Sequence, residues 1–132
     1  MKLDQLPKAR KDGRPLELEN AVIKSVSLSI ADHGCLTGWL HVEFAHGGCG
    51  FGGYMLGSAY GGNLNGCKNY AAEFIVRCLL TIGVHTWEGL SGESIRVLHE
   101  GLGGGIVAIG NFMKDEWFCP RIEFAEPIPK GH

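Results

Sequence analysis

Apolar residues alternate at every second position through Val26, Leu28 and Ile30, and again through Leu40, Val42 and Phe44. The period then changes. Ala71, Phe74, Ile75, Cys78, Leu79 and Ile82 stand at i, i+3, i+4, i+7, i+8 and i+11, the stripe of an amphipathic helix. A chain of 132 residues builds a single core. One helix among alternating segments, without strand–helix alternation, predicts α+β architecture: a mostly antiparallel sheet of roughly five to six strands packed with that helix.

Residues 1–19, with Lys8, Arg10, Lys11 and Arg14, read as a flexible basic arm; 20–126 read as the folded domain and 127–132 as a tail. From Asn20, Val22, Lys24, Val26, Leu28 and Ile30 share one face of a strand and Ser25, Ser27 and Ser29 the other. "ADHG" reads as a hairpin turn. In the returning strand Leu36, Leu40, Val42 and Phe44 oppose Thr37, Trp39, His41 and Glu43. Asn69 is a plausible helix N-cap and Gly83 its stop, and Glu73 and Arg77 stand four apart. Val76 and Leu80 lie off the main stripe, which suggests a subunit contact. "SIRVLHE" and "IVAIGNF" read as further strands, and "RIEF" as an edge strand.

Residues 44–66 contain nine glycines, among them Gly48-x-Gly50-x-x-Gly53, the spacing of a dinucleotide-binding turn. Such a turn needs a helix directly behind it, and here Tyr54-Met55-Leu56 runs on into more glycine-rich chain. The run therefore reads as a bent, bulged strand, whose freed backbone amides could meet an anion.

A formal charge of −2 argues against a protein that coats DNA. Five cysteines without a CxxC pair, a charged opening segment and no long apolar run point to a reduced, cytosolic protein without a membrane span. His33-x-Cys35 and His46-x-x-Cys49 sit at opposite ends of one strand, roughly 30 Å apart, too far to share a zinc ion. No hydrolase, metalloprotease or phosphate-loop motif is present, so neither a catalytic residue, a metal nor a cofactor is expected.

What remains is a binding constellation. Arg96 stands among Ile95, Val97 and Leu98, where a guanidinium is costly to bury unless it has an anionic partner, and the neighbouring sequence offers only Glu93. Lys114 begins a corner beside Trp117, and Arg77, Phe74 and Trp87 gather around the helix and its exit. Rings to stack a base and cations to meet phosphate are the parts of a nucleotide pocket.

"SVSLSIADHGCLTGWLHVEF", "GCGFGGYML", "EFIVRCLLTIGVHTWEGLSGESIRV" and "IVAIGNFMKDEWFCP" together resemble the bacteriophage anti-Thoeris sponge family, over about residues 20–125. The resemblance implies a non-enzymatic protein of the host bacterial cytoplasm. It would sequester TIR-derived cyclic ADP-ribose isomers and, for some members, the cyclic oligonucleotides of CBASS and type III CRISPR signalling. It also implies a homo-oligomer of dimers assembling into a hexamer. Arg96, Phe74 and Trp87 carry over as ligand-binding candidates. Asn111 is a further ligand-binding candidate, at a position where the family pattern often has a histidine. Two other readings stay open: an inhibitor that docks on a protein through the Trp39 face, and a hydrolase of the signal.

Overall fold

The computed structural model describes residues 1–31, 35–45, 47–58, 70–101 and 104–124. The strands are β1 (Glu17–Ala31), β2 (Cys35–Phe44), β3 (Gly47–Ser58), β4 (Ser94–His99), β5 (Ile106–Asn111) and β6 (Trp117–Phe118). The helix α1 spans Tyr70–Ile82, and a single turn, α2, spans Pro120–Glu123. All five pairings are antiparallel, in the order β3-β2-β1-β4-β5-β6. The α+β expectation holds, with six strands and one main helix.

β1 is the spine of the sheet, pairing with β2 along its second half and with β4 along its first. Its register slips between Ile23 and Ser25, so Lys24 occupies a bulge. A bulge inserts one residue and reverses the facing of everything before it. Ala21 and Ile23 are therefore buried, and Val22, expected beside Val26, is 43% exposed on the opposite face. At the bulge β1 takes up the loop ahead of β4 instead: the Ile23 amide donates to Glu93 O at 2.9 Å, and the Gly92 amide to Ile23 O at 2.7 Å.

On one face Ile23, Leu40, Val42, Ile95, Val97 and Ile109 meet Phe74 and Cys78 of α1. The sheet curls around the helix until its two outer strands approach. Phe51 of β3 lies 6.0 Å from Phe118 of β6, centroid to centroid, and Phe74 lies 5.4 and 5.7 Å from each. Each buried ring contributes about 2 kcal/mol of transfer free energy, and each tilted or edge-on pair about 1 kcal/mol more. The helix ends where Gly83 turns to φ +90°, with the Gly83 and Val84 amides both donating to Leu79 O.

The opposite face is covered in part by residues 1–16, expected as a flexible arm. Leu6 is buried there with Leu98, Val107, Ala108, Trp117 and Cys119, and Met1, Leu3 and Leu16 pack on them. The Met1 amine donates to Trp117 O at 3.1 Å, and the Trp117 amide to Met1 O at 2.8 Å. The folded unit thus includes the arm, and residues 17–19 belong to β1.

"RIEF" is corrected from an edge strand to α2. Pro120 begins that turn, where its fixed φ is suited and its missing N–H is not needed. Glu123 Oε2 accepts the Cys119 amide at 3.2 Å, which closes the turn on itself. Residues 32–34, His46, 59–69, 102–103 and 125–132 lie outside the described residues, and with them the "ADHG" turn, the Asn69 cap and the tail.

Candidate functional site: a glycine-edged groove

The fingerprint glycines Gly48, Gly50 and Gly53 all fall within β3, an outer antiparallel strand, which excludes a strand–turn–helix phosphate loop. Gly52 has φ +127°, and a Cβ there would stand 2.5 Å from Gly38 O and 2.8 Å from Phe74 Cζ. Glycine at this position lets β3 lie directly on the helix ring.

The curl of the sheet then brings this strand opposite the β5–α2 corner. Between them runs a groove of about 350 Å³, bounded by Gly50, Phe51 and Gly52 on one wall and by Gly105, Pro120 and Arg121 on the other. Among the described residues no strand lies on the outer side of β3, so its backbone there has no sheet partner among them. The volume lies in the range of small-molecule sites. A wall of glycine backbone with an exposed guanidinium opposite suits a flat, anionic ligand: amides and Arg121 for phosphate, and room for a ring to lie close.

Four of the seven residues picked from the sequence gather elsewhere, at the β5–β6 turn. The guanidinium of Arg96 lies 4.9 Å above the Trp117 ring, and it donates to Asn111 O at 2.9 Å and to Lys114 O at 2.8 Å. In place of the anionic partner expected for Arg96, two neutral carbonyls and an indole face receive its guanidinium. Asn111 turns inward: its amide donates to Thr81 O and Ile82 O at 3.1 and 3.2 Å, satisfying the last carbonyls of α1. Its oxygen accepts the Met113 and Lys114 amides at 2.9 and 3.0 Å. Trp117 is fully buried, with its indole N–H on Asp115 at 3.1 Å. The Lys114 side chain is exposed.

The other three separate. Arg77 pairs with Glu123 at 2.7 Å and lies 5.4 Å over the Phe118 ring, so its expected partner Glu73 is replaced by a residue 46 positions away. Phe74 is core. Trp87 is half-buried against Gly38, on the part of β2 away from the β5–β6 turn, and its buried Nε1 has no hydrogen-bond partner among the described residues.

Arg121, Gly52 and Gly105 were missed as a group. The sequence signal was the glycine density; nothing in the local pattern joins residue 50 to residue 121, because the curl of the sheet does that. Burial pushes the Cys78 thiol far above its ordinary range, against the opposing pull of Arg77, and burial also raises Cys119. Both are held protonated, which is the wrong state for a nucleophile. The zinc question turns on His33, Cys35 and His46, whose side chains lie outside the described residues; among the described residues no group of three metal-ligating side chains converges. Among them, too, no helix is long and apolar enough to cross a membrane.

No protein-family profile, curated protein or solved structure matches this chain.

Proposed function

We propose that this chain is a phage immune-evasion sponge: it binds a cyclic nucleotide signal made by the host and withholds it without breaking a bond, in the host bacterial cytoplasm. The observation that carries the reading is the groove walled by Gly50–Gly52 and Gly105 and faced by Arg121. It matches the needs of a nucleotide: backbone amides and a guanidinium for phosphate, and a glycine surface that a base or ribose can approach closely. The resemblance to the anti-Thoeris family supports the ligand class, and burial that keeps the Cys78 and Cys119 thiols protonated argues against those two as nucleophiles toward the signal.

Of the residues picked from the sequence, Arg96, Asn111, Trp117 and Arg77 serve this proposal by building the corner that carries α2 and Arg121. Lys114, with its exposed ammonium, remains available to a ligand. Val76 and Leu80, 53% and 68% exposed on the outer side of α1, support a contact with a second copy, since apolar side chains gain from a partner surface, and the resemblance extends that contact to dimers assembling into a hexamer.

A sponge needs tight binding: a dissociation constant of about 10 nM corresponds to about 11 kcal/mol. Calorimetry with a cyclic ADP-ribose isomer, a cyclic dinucleotide and a cyclic trinucleotide tests the reading. Submicromolar binding of at least one is expected; no heat with any of them would leave the groove without this function.

A further inference from the structure

His99, the last residue of β4, is 4% exposed and lies outside both the groove and the β5–β6 corner. Its ring stacks on Phe44 of β2, with centroids 4.7 Å apart and planes at 21°. Both ring nitrogens are engaged. Nδ1 accepts the Gly101 amide at 3.0 Å, so that nitrogen carries no proton. The neutral ring therefore holds its proton on Nε2, which donates to Glu19 Oε2 at 3.1 Å. A second carboxylate stands beside the same amide: Glu17 Oε2 lies 3.7 Å from Nδ1, and a Cβ on Gly101 would come within 3.3 Å of it. Glu17 also borders a cleft of about 340 Å³ with Glu100, Arg10 and Arg14, the two arginines belonging to a hairpin closed by a bridge between Ala9 and Pro15. The charges facing this end of β4 are thus Glu17 and Glu19 from β1, Glu100 from the turn, and Arg10 and Arg14 from the hairpin, while β2 presents the Phe44 ring.

We infer that His99 operates the β4–β5 turn by protonation: a second proton on the ring exchanges the Gly101 amide for the Glu17 carboxylate. A proton added at Nδ1 points at an N–H, donor against donor, so the bond to Gly101 cannot persist. The charged ring turns to Glu17 instead, while Nε2–H stays on Glu19. Gly101 has φ +88°, and its carbonyl accepts the Gly104 amide at 3.0 Å, so its release loosens the chain reversal. Two contacts depend on that reversal. Gly105, part of the groove wall, accepts the Glu100 amide at 3.1 Å, and Glu100 O accepts Arg10 Nη1 at 2.7 Å, which anchors the hairpin. Acid therefore loosens one wall of the groove and the hairpin anchor together, while the sheet core stays closed. The switch stands whether or not the groove holds a nucleotide.

The test uses the full chain, with imidazole nitrogen shifts and amide protection factors measured by NMR at about pH 8 and about pH 5.5, a span over which imidazoles ordinarily titrate and carboxylates ordinarily stay charged. At the higher pH the expected His99 ring has a bare Nδ1 and a protonated Nε2. At the lower pH it carries both protons, and Gly101 protection is reduced by about tenfold or more, while Val97 and Ile109 in the core keep theirs. Glu17→Gln, an exposed position, removes the charge that receives the second proton and is expected to move the Gly101 loss to lower pH. His99→Asn offers Oδ1 near the place of Nδ1 and does not titrate, so Gly101 protection should be equal at the two pH values. Equal Gly101 protection at both values in wild type overturns the switch, as does a proton already on Nδ1 at the higher pH. A Gly101 loss unmoved by Glu17→Gln, or one shared by Val97 and Ile109, overturns it equally. Should His99→Asn fail to fold, the wild-type ring shifts and the Glu17→Gln displacement decide.

Discussion

Arg77 on α1 and Glu123 on α2 are joined at 2.7 Å, with a second guanidinium nitrogen 3.2 Å from Trp117 O and the whole group lying over the Phe118 ring. Glu123 is two residues from Arg121 on the same short turn. The pair therefore does two things: it ties the last element to the helix, and it sets where the groove's cation stands. It is half-buried, so it lies between a weak exposed ion pair and an expensive buried one.

Glu123→Gln is expected to lower stability by about 1 to 2 kcal/mol, since it keeps the acceptor for the Cys119 amide and loses the charge. It should also weaken nucleotide binding without touching ligand. A denaturant melt and a binding isotherm on the same preparation separate the two effects. Full affinity in a destabilised variant would show that α2 does not need Arg77 to present Arg121.

Gly52→Ala places a Cβ against Gly38 O and Phe74 at a φ of +127°, which combines overpacking with backbone strain. A loss of about 2 to 4 kcal/mol is expected, read as a shift in the urea midpoint. Gly105→Ala, where a Cβ meets nothing within 4 Å, is the control and should leave stability within about 1 kcal/mol.

Asn111→Ala removes the amide that satisfies Thr81 O and Ile82 O, together with the oxygen that organises the Met113 and Lys114 amides. About 1 to 2 kcal/mol is the expected cost, with faster amide exchange at the last turn of α1. Nucleotide affinity should change far less than in Arg121→Ala, because Asn111 faces the helix rather than the groove. A selective loss of binding with unchanged stability would return Asn111 to the ligand site.

Cys78 and Cys119 have thiols pushed up by burial. A group with a raised folded-state pKa stabilises fully below its unfolded value and loses that contribution as pH rises beyond it. Stability from this source should therefore be intact at neutral pH and decline above the ordinary thiol value of about 8.5. Mass-mapped alkylation at neutral pH should spare both residues until the chain unfolds. Rapid native labelling of Cys78 would mean that α1 opens far more readily than its packing allows.

The helix was legible because Phe74, Ile75, Cys78, Leu79 and Ile82 mark its buried stripe and Gly83 its end. Alternation likewise identified the buried side of β2. The Lys24 bulge was not legible: a lysine in an apolar slot leaves the period-two pattern intact, while the pairing partner shifts and turns Val22 outward. The sequence points to an anionic partner for Arg96, whereas its partners are the neutral carbonyls of Asn111 and Lys114 and the face of Trp117, which no side-chain motif announces. The groove itself depends on Phe51 reaching Phe118 across α1, a consequence of sheet curvature that alternation along single strands does not encode.

The most direct test of sequestration is recovery of the ligand. The protein in excess is incubated with a 3′,5′-cyclic dinucleotide, filtered, then heat-denatured, and the nucleotide in each fraction is measured by chromatography. The expected result is near-complete loss from the filtrate and near-complete return of the unaltered nucleotide after heating. A nucleotide that stays in the filtrate, or that returns cleaved, contradicts a protein that holds its ligand and leaves it whole.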